Sequence, residues 1–247
     1  MKVMTSLKDT LDSFAQPAWL SEPAKESAVR CLACAHRCLI QPGKRGICQV
    51  RFNREGQLFA PSGYVAGLQL DPIEKKPFMH FLPGSAALTF GMLGCNFHCD
   101  FCQNWVSSQA LRDPGSALGS SAIQPIQPAE LVDLALRNKA RSIISSYNEP
   151  LITSEWAMEV FTLAKQKGLR TAYVSNGFAT PQALQALRPC LDAFKVDLKC
   201  LSDAGYRELG GSLSAVLESI RLAHELGLWV EVVTLVIPGF NAGNEEL

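Results

Sequence analysis

The chain has 247 residues, 47% of them hydrophobic and 19% charged, with 23 Lys+Arg balancing 23 Asp+Glu. That composition describes a globular α/β protein with length for one sizeable core, and it excludes collagen, coiled coil and disorder. A net charge of zero gives no global pull towards DNA or an anionic membrane.

Residues 1–30 read as a polar, partly helical leader ending near Pro23. Asp9 and Asp12 stand where a secretory signal needs an unbroken apolar core, so the expected location is cytoplasmic. Residues 31–60 are poor in periodicity and rich in Cys, Gly and basic side chains; between Cys31 and Arg54 there are five Lys/Arg and no Asp or Glu. Too few apolar residues are present for a core of their own, which suits a metal-stapled module.

From about residue 85 short apolar runs alternate with helical periods. Strands are expected at 87–92, 142–146, 170–175, 193–198 and 229–237. Helices are expected at 128–139, with Pro in its first turn, at 181–187, and at 154–167 and 214–226, each closed by Gly. The order βαβαβαβαβ with short connections predicts parallel strands and right-handed crossovers, in a barrel-type or an open sheet. The longest apolar stretch, residues 228–238, is interrupted by Glu231 and is too short to span a bilayer. Asn244, Glu245 and Glu246 look like a helix start, so the fifth strand is expected to lack its covering helix and the chain to be a fragment.

Nine cysteines, an odd number, do not suggest a disulfide framework. Cys31, Cys34, Cys38 and Cys48 form C-x2-C-x3-C-x9-C, and Cys95, Cys99 and Cys102 form C-x3-C-x2-C. Cys190 and Cys200 stand alone and read as packing residues. Three thiolates within eight residues can wrap a four-iron cluster and leave one iron open to a substrate; a zinc knuckle from Cys99 and Cys102 is the alternative. His98 beside them reads as a bystander. The four upstream thiols fit neither a zinc ribbon nor a ferredoxin run cleanly, and zinc or an auxiliary cluster would each use all four.

The segment GCNFHCDFCQN, with Phe101 as the aromatic before the third Cys, resembles the signature of the radical S-adenosylmethionine superfamily. The resemblance implies a partial (βα)6 barrel, here truncated after the fifth strand, with a [4Fe–4S] cluster on Cys95, Cys99 and Cys102. It further implies that S-adenosylmethionine chelates the open iron and is cleaved reductively to methionine and a 5′-deoxyadenosyl radical, an oxidoreductase chemistry fed by an electron donor such as flavodoxin or ferredoxin. The later strand ends, where parallel α/β folds collect ligands, resemble the superfamily's cofactor contacts. Asn148 and Glu149 take the place that holds the amino group. Ser175 and Asn176 resemble a ribose and carboxylate turn of glycyl-radical-activating enzymes. Asp197 and Lys199 resemble their Asp-Leu-Lys motif, with Asp197 facing S-adenosylmethionine or a monovalent cation, and Ile237 and Pro238 resemble the adenine-side segment. Val174 departs from the acidic residue usual before that turn.

The stretch DPIEKKPFMHF (71–81), with CLACAHRCLIQPGKRGICQVR upstream and CQNW downstream, resembles the radical enzyme of the AmmeMemoRadiSam system, similar to pyruvate formate-lyase activating enzymes. Of it, Lys75 and His80 are candidates for substrate or partner contact. The expected division is a leader and Cys-rich module over 1–84 and a radical barrel over 85–247. The expected substrate is a protein; a small metabolite, or a non-catalytic metal module docking an anionic partner such as RNA, are the competing functions.

Overall fold

The computed structural model describes residues 6–116 and 120–243. The helix start expected at Asn244–Glu246 lies outside them.

Six strands form the main sheet: β1 (Gly67–Pro72), β2 (Ala86–Gly91), β3 (Ser142–Ser145), β4 (Arg170–Ser175), β5 (Ala193–Asp197) and β6 (Trp229–Val233). They lie side by side in chain order. β2 to β6 are parallel throughout, and β1 runs antiparallel against β2, from Gly67 opposite Gly91 to Pro72 opposite Ala86. All five expected strands are present. The last ends at Val233 rather than at 237, because its neighbour β5 ends at Asp197, the residue opposite Val233, and offers no further ladder. β1 was not foreseen.

Helix α1 (Leu7–Phe14) precedes the sheet; α2 (Pro128–Arg137), α3 (Ser154–Gln166), α4 (Pro181–Leu187) and α6 (Leu213–Glu225) follow successive parallel strands, with α5 (Asp203–Glu208) a short addition. Pro128 and Pro181 occupy first turns where their missing N–H leaves nothing unpaired. Thr180 caps α4 by accepting from Ala183 N at 3.0 Å. Among the described residues no helix is long and apolar enough to cross a membrane.

Strand alternation separates two apolar layers. On the helix side Phe90 meets Trp156 edge-on at 5.3 Å and Phe161 meets Tyr173 at 5.5 Å. On the other face Ala87, Ile144, Ala172 and Ala193 pack against Ile73, Phe78 and Phe81, so the segment after β1 folds under the sheet. The Cys-rich segment makes small antiparallel sheets, Ser21–Pro23 with Val29–Cys31 and Leu39–Ile40, and Gln16–Pro17 with Gln57–Ala60 and Phe52–Arg54. Its Leu20, Val29, Ile40 and Leu58 join the same apolar cluster as the helix-side core, so it borrows a core instead of building one.

Candidate active site at the carboxyl ends of the parallel strands

The three-cysteine loop leaves the end of β2 through Gly91, where a Cβ would stand 2.6 Å from Ser146 O and 2.8 Å from Tyr147 Cβ. Glycine there lets the ends of β2 and β3 close together. The loop is tied to its surroundings by Met92 N donating to Asn148 Oδ1 at 3.0 Å and Glu149 N to Gly94 O at 3.2 Å. Arg112 donates to the carbonyls of Cys95 and Phe97, and Gln109 Nε2 donates to Phe97 O at 3.0 Å. Phe97 is buried against Phe178 and Tyr206.

Cys95, Cys99 and Cys102 are half-buried free thiols. Burial pushes Cys95 well up, and Glu149 nearby adds to it; burial also raises Cys99, which Lys199 partly offsets. A bound metal centre offsets that cost for Cys95 and Cys99, since its positive charge favours the thiolate. Among the described residues no three Cys, His, Asp or Glu side chains converge on a point that one metal ion could occupy. A zinc ion would draw four thiolates to about 2.3 Å from itself, and so to about 3.8 Å from one another. A four-iron cluster carries its thiolates on separate irons and spaces them more widely. Three free thiols on one loop are the donor set of a cluster that keeps one iron open.

The next strand ends supply polar groups. Glu149 is 2% exposed. Its carboxylate accepts from Leu151 N at 3.0 Å, Ser175 Oγ at 2.7 Å and Asn176 N at 2.8 Å, yet burial still raises its pKa. It therefore fixes the turn after β4. In that turn Gly177 has φ +73°, and a Cβ would stand 2.6 Å from Val196. Asn176 Nδ2 donates to Asn96 Oδ1 at 2.7 Å, joining the turn to the cysteine loop. At the end of β5 Asp197 lies between Lys195 and Lys199, the latter at 3.4 Å. Lys195 is buried; desolvation, with Lys199 adding, pushes its pKa down to about 8. Beyond β6, Asn241 accepts from Ile237 N at 2.6 Å and donates to Lys199 O at 2.7 Å. Phe101 packs on Phe240 with ring centres 5.1 Å apart. One end of the sheet thus gathers the three loop cysteines, Phe101, Asn148, Glu149, Ser175, Asn176, Asp197, Lys199, Ile237 and Pro238.

Lys75 and His80 lie elsewhere. β1 runs away from the cysteine loop, so the residues after it sit at the opposite end of the sheet, with His80 81% and Lys75 68% exposed in their side chains. The buried lysine of the pair is Lys76, whose Nζ lies 3.0 Å from Asp71 and 2.7 Å from Tyr147 Oη. Of the lysine pair the sequence reading chose Lys75 for a contact role, and Arg112 and Asn241 were not singled out. Only Glu231 left a signal, as the charge inside an apolar stretch: it accepts from Met79 N at 2.7 Å, His80 N at 3.2 Å and Phe81 N at 2.9 Å.

In the upstream group Cys31, Cys34 and Cys48 are buried and Cys38 half-buried. Burial, joined by Cys31 and Cys48, holds the Cys34 thiol far above its ordinary value. Cys190 and Cys200 are buried in the main core, as packing residues are. His36 Nε2 lies 3.0 Å from Asn96 O, and His98 packs over Gly210.

Comparisons with known proteins agree with this geometry. The sequence model of the Radical SAM superfamily matches residues 90–247. The uncharacterised protein MJ0808 of Methanocaldococcus jannaschii is 35% identical over 231 residues, 93% of this chain and 67% of that protein. The isethionate sulfite-lyase activating enzyme of Nitratidesulfovibrio vulgaris is 26% identical over 156 residues, 62% of this chain and 50% of that enzyme. The chain thus spans about two thirds of the first relative and half of the second. Among solved structures, a radical SAM methyltransferase from Sphaerobacter thermophilus superposes with a TM-score of 0.50 at 17% identity, over 77% of this chain and 56% of that one, a likeness of fold.

Proposed function

This chain belongs to the radical SAM superfamily, and on that premise we propose that it is a radical oxidoreductase acting on a protein, in the manner of an activating enzyme and within the AmmeMemoRadiSam group. Cys95, Cys99 and Cys102 hold a [4Fe–4S] cluster whose fourth iron takes S-adenosylmethionine. When bound, the pair supplies a 5′-deoxyadenosyl radical for hydrogen abstraction. Asn148, half-buried and aligned on the loop, takes the amino group. Ser175 and Asn176 face ribose and carboxylate, Lys199 the carboxylate, and Asp197 the cofactor or a monovalent cation. Ile237 and Pro238, with Phe101, flank the adenine side. Glu149 is a positioning residue here, since its carboxylate is already taken up by Ser175, Asn176 and Leu151.

One observation carries the proposal: three half-buried thiols on a loop that Asn96 and Asn176 bind to the polar ends of the next strands. A protein substrate is supported by relatives named as activating enzymes for isethionate sulfite-lyase and trans-4-hydroxy-L-proline dehydratase. The proposed architecture is a partial (βα)6 barrel over 85–247 with a leader and Cys-rich metal module over 1–84. A cytoplasmic electron donor of the flavodoxin or ferredoxin kind supplies the electron. The test is anaerobic EPR of the reconstituted, reduced protein with and without S-adenosylmethionine, together with assay of 5′-deoxyadenosine. A reduced-cluster signal that shifts on adding S-adenosylmethionine is expected. A cluster indifferent to it, with no 5′-deoxyadenosine, overturns the proposal.

A further inference from the structure

The four thiols of the Cys-rich segment are not used by that chemistry, yet they are built into the same site. Cys34 pairs with Ala179 in an isolated bridge, and Ala35 N donates to Phe178 O at 2.9 Å, so the segment docks directly on the turn after β4. Cys34, Cys38 and Cys48 each lie within electrostatic reach of Cys31. Together they make a closed set of four thiol donors beside the loop that carries the other three.

Arg51 adds a second, independent observation. It is 1% exposed and gripped by Glu155 through two bonds of 2.7 Å, with Ile152 O at 3.1 Å. Its Nε–H has no partner among the described residues, and the guanidinium lies beside Cys31 and Cys48. A buried donor left unpaired beside thiols is costly unless the thiols carry negative charge. An anionic cluster bound there would meet both the charge and the donor.

Asn96 connects the two groups. Its side chain stands against Cys34 on one side and 3.8 Å from Cys95 Sγ on the other.

We propose that Cys31, Cys34, Cys38 and Cys48 hold a second iron–sulfur cluster, closed by four thiolates, that passes electrons to the cluster of the Cys95–Cys102 loop across the Asn96 contact. The transfer is a one-electron step without bond making: a one-electron donor reduces the upstream cluster, which is reoxidised as the loop cluster is reduced. The relay rests on the proposed radical chemistry; the presence of the upstream cluster does not.

The test is metal content, Mössbauer and EPR spectroscopy of the anaerobically reconstituted full chain and two variants, one with Cys95→Ala, Cys99→Ala and Cys102→Ala, the other with Cys31→Ala, Cys34→Ala, Cys38→Ala and Cys48→Ala. The unaltered chain is expected to hold about eight irons and no zinc. The loop variant should keep about four irons with an EPR signal blind to S-adenosylmethionine, and the upstream variant about four with a signal that shifts. About four irons and one zinc in the unaltered chain, or an iron-free loop variant that unfolds at the wild-type temperature, overturns the second cluster. The unaltered chain's metal count decides this even where the upstream variant does not fold. An upstream variant whose cluster ignores S-adenosylmethionine defeats the radical reading alone. Stopped-flow reduction by dithionite should be at least about tenfold slower for the loop cluster when Cys34→Ser disables the upstream site; an unchanged rate overturns the relay.

Discussion

The two ends of the main sheet are built from the same strands and do different work. At the carboxyl end the segments that follow the strands carry polar side chains that bond to neighbouring segments: Asn148 to Met92, Glu149 to Ser175, Asn176 to Asn96, and Asn241 to Lys199. At the amino end Ile73, Phe78 and Phe81 close the face as an apolar plug, and Glu231 of β6 accepts three backbone N–H groups from the segment that forms it. That plug joins β1 at one edge of the sheet to β6 at the other. Reactivity and cohesion are thereby separated along the strands, so each end can be perturbed with little effect on the other.

The largest expected effect comes from the reactive end. Cys99→Ala should lower 5′-deoxyadenosine formation by at least about 10³-fold, because a cluster short of one thiolate does not assemble to bind the cofactor. Thermal unfolding of that variant prepared without iron should stay close to wild type, since the thiol is only half-buried. Phe78→Ala, at a position with no exposure, should invert the pattern. A loss of about 3–5 kcal/mol in denaturant unfolding is expected, with the iron content of the surviving folded protein unchanged. A Phe78 variant that folds normally but loses its cluster would refute the separation.

Next in size is Glu231. Burial alone would raise its pKa, but the N–H of Met79 and then Trp229, His80 and Phe81 outweigh it and hold the carboxylate below its ordinary range. A depressed carboxylate stabilises the fold above its unfolded pKa, about 4.3, and loses that contribution as pH falls through the lower folded value. Acid titration of wild-type stability should therefore steepen below about pH 4.3. Glu231→Gln should flatten it and lower stability near pH 7 by about 1–3 kcal/mol. An identical acid limb in the variant would show that the three N–H groups do not depend on the charge.

Much of this was legible in the chain. The parallel strands fall within a residue of expectation wherever an apolar run ends at a polar strand end, as at Arg170–Ser175, and α2 starts at the proline that predicts it. The cysteine loop and the polar strand ends were legible because their residue types and order are themselves the signal. What escaped depends on pairing between distant segments. β1 is largely exposed and pairs only along one side, so its side chains lack the buried alternation that marks a strand. Asn241 and Arg112 act through backbone carbonyls far along the chain, which no local pattern records. Glu149 was recognisable as a site residue, but that its carboxylate is turned inward to Ser175 follows only from the packed strand ends.

The smallest effect gives the finest test, because it opposes two adjacent lysines. Lys75 and Lys76 both reach Asp71, at 3.1 and 3.0 Å, and hold its carboxyl below the ordinary range, Lys76 more strongly through its hydrogen bond. Their surroundings differ: the Lys75 side chain is 68% exposed, while that of Lys76 is 6% exposed and also meets Tyr147. A surface pair is screened and contributes about 0–1 kcal/mol, so Lys75→Met should leave stability within about 0.5 kcal/mol of wild type. Lys76→Met removes a donor from two groups in a place water barely reaches, and should lower stability by about 1–2 kcal/mol. Tyr147 precedes Asn148, so the loss of its partner gives a perturbation at the plugged end a path to the reactive end. If Lys76→Met also weakens the S-adenosylmethionine-induced EPR shift while Lys75→Met does not, the two ends communicate through Lys76 and Tyr147. If both variants keep the full shift, the separation of the two ends holds even at the residue that spans them.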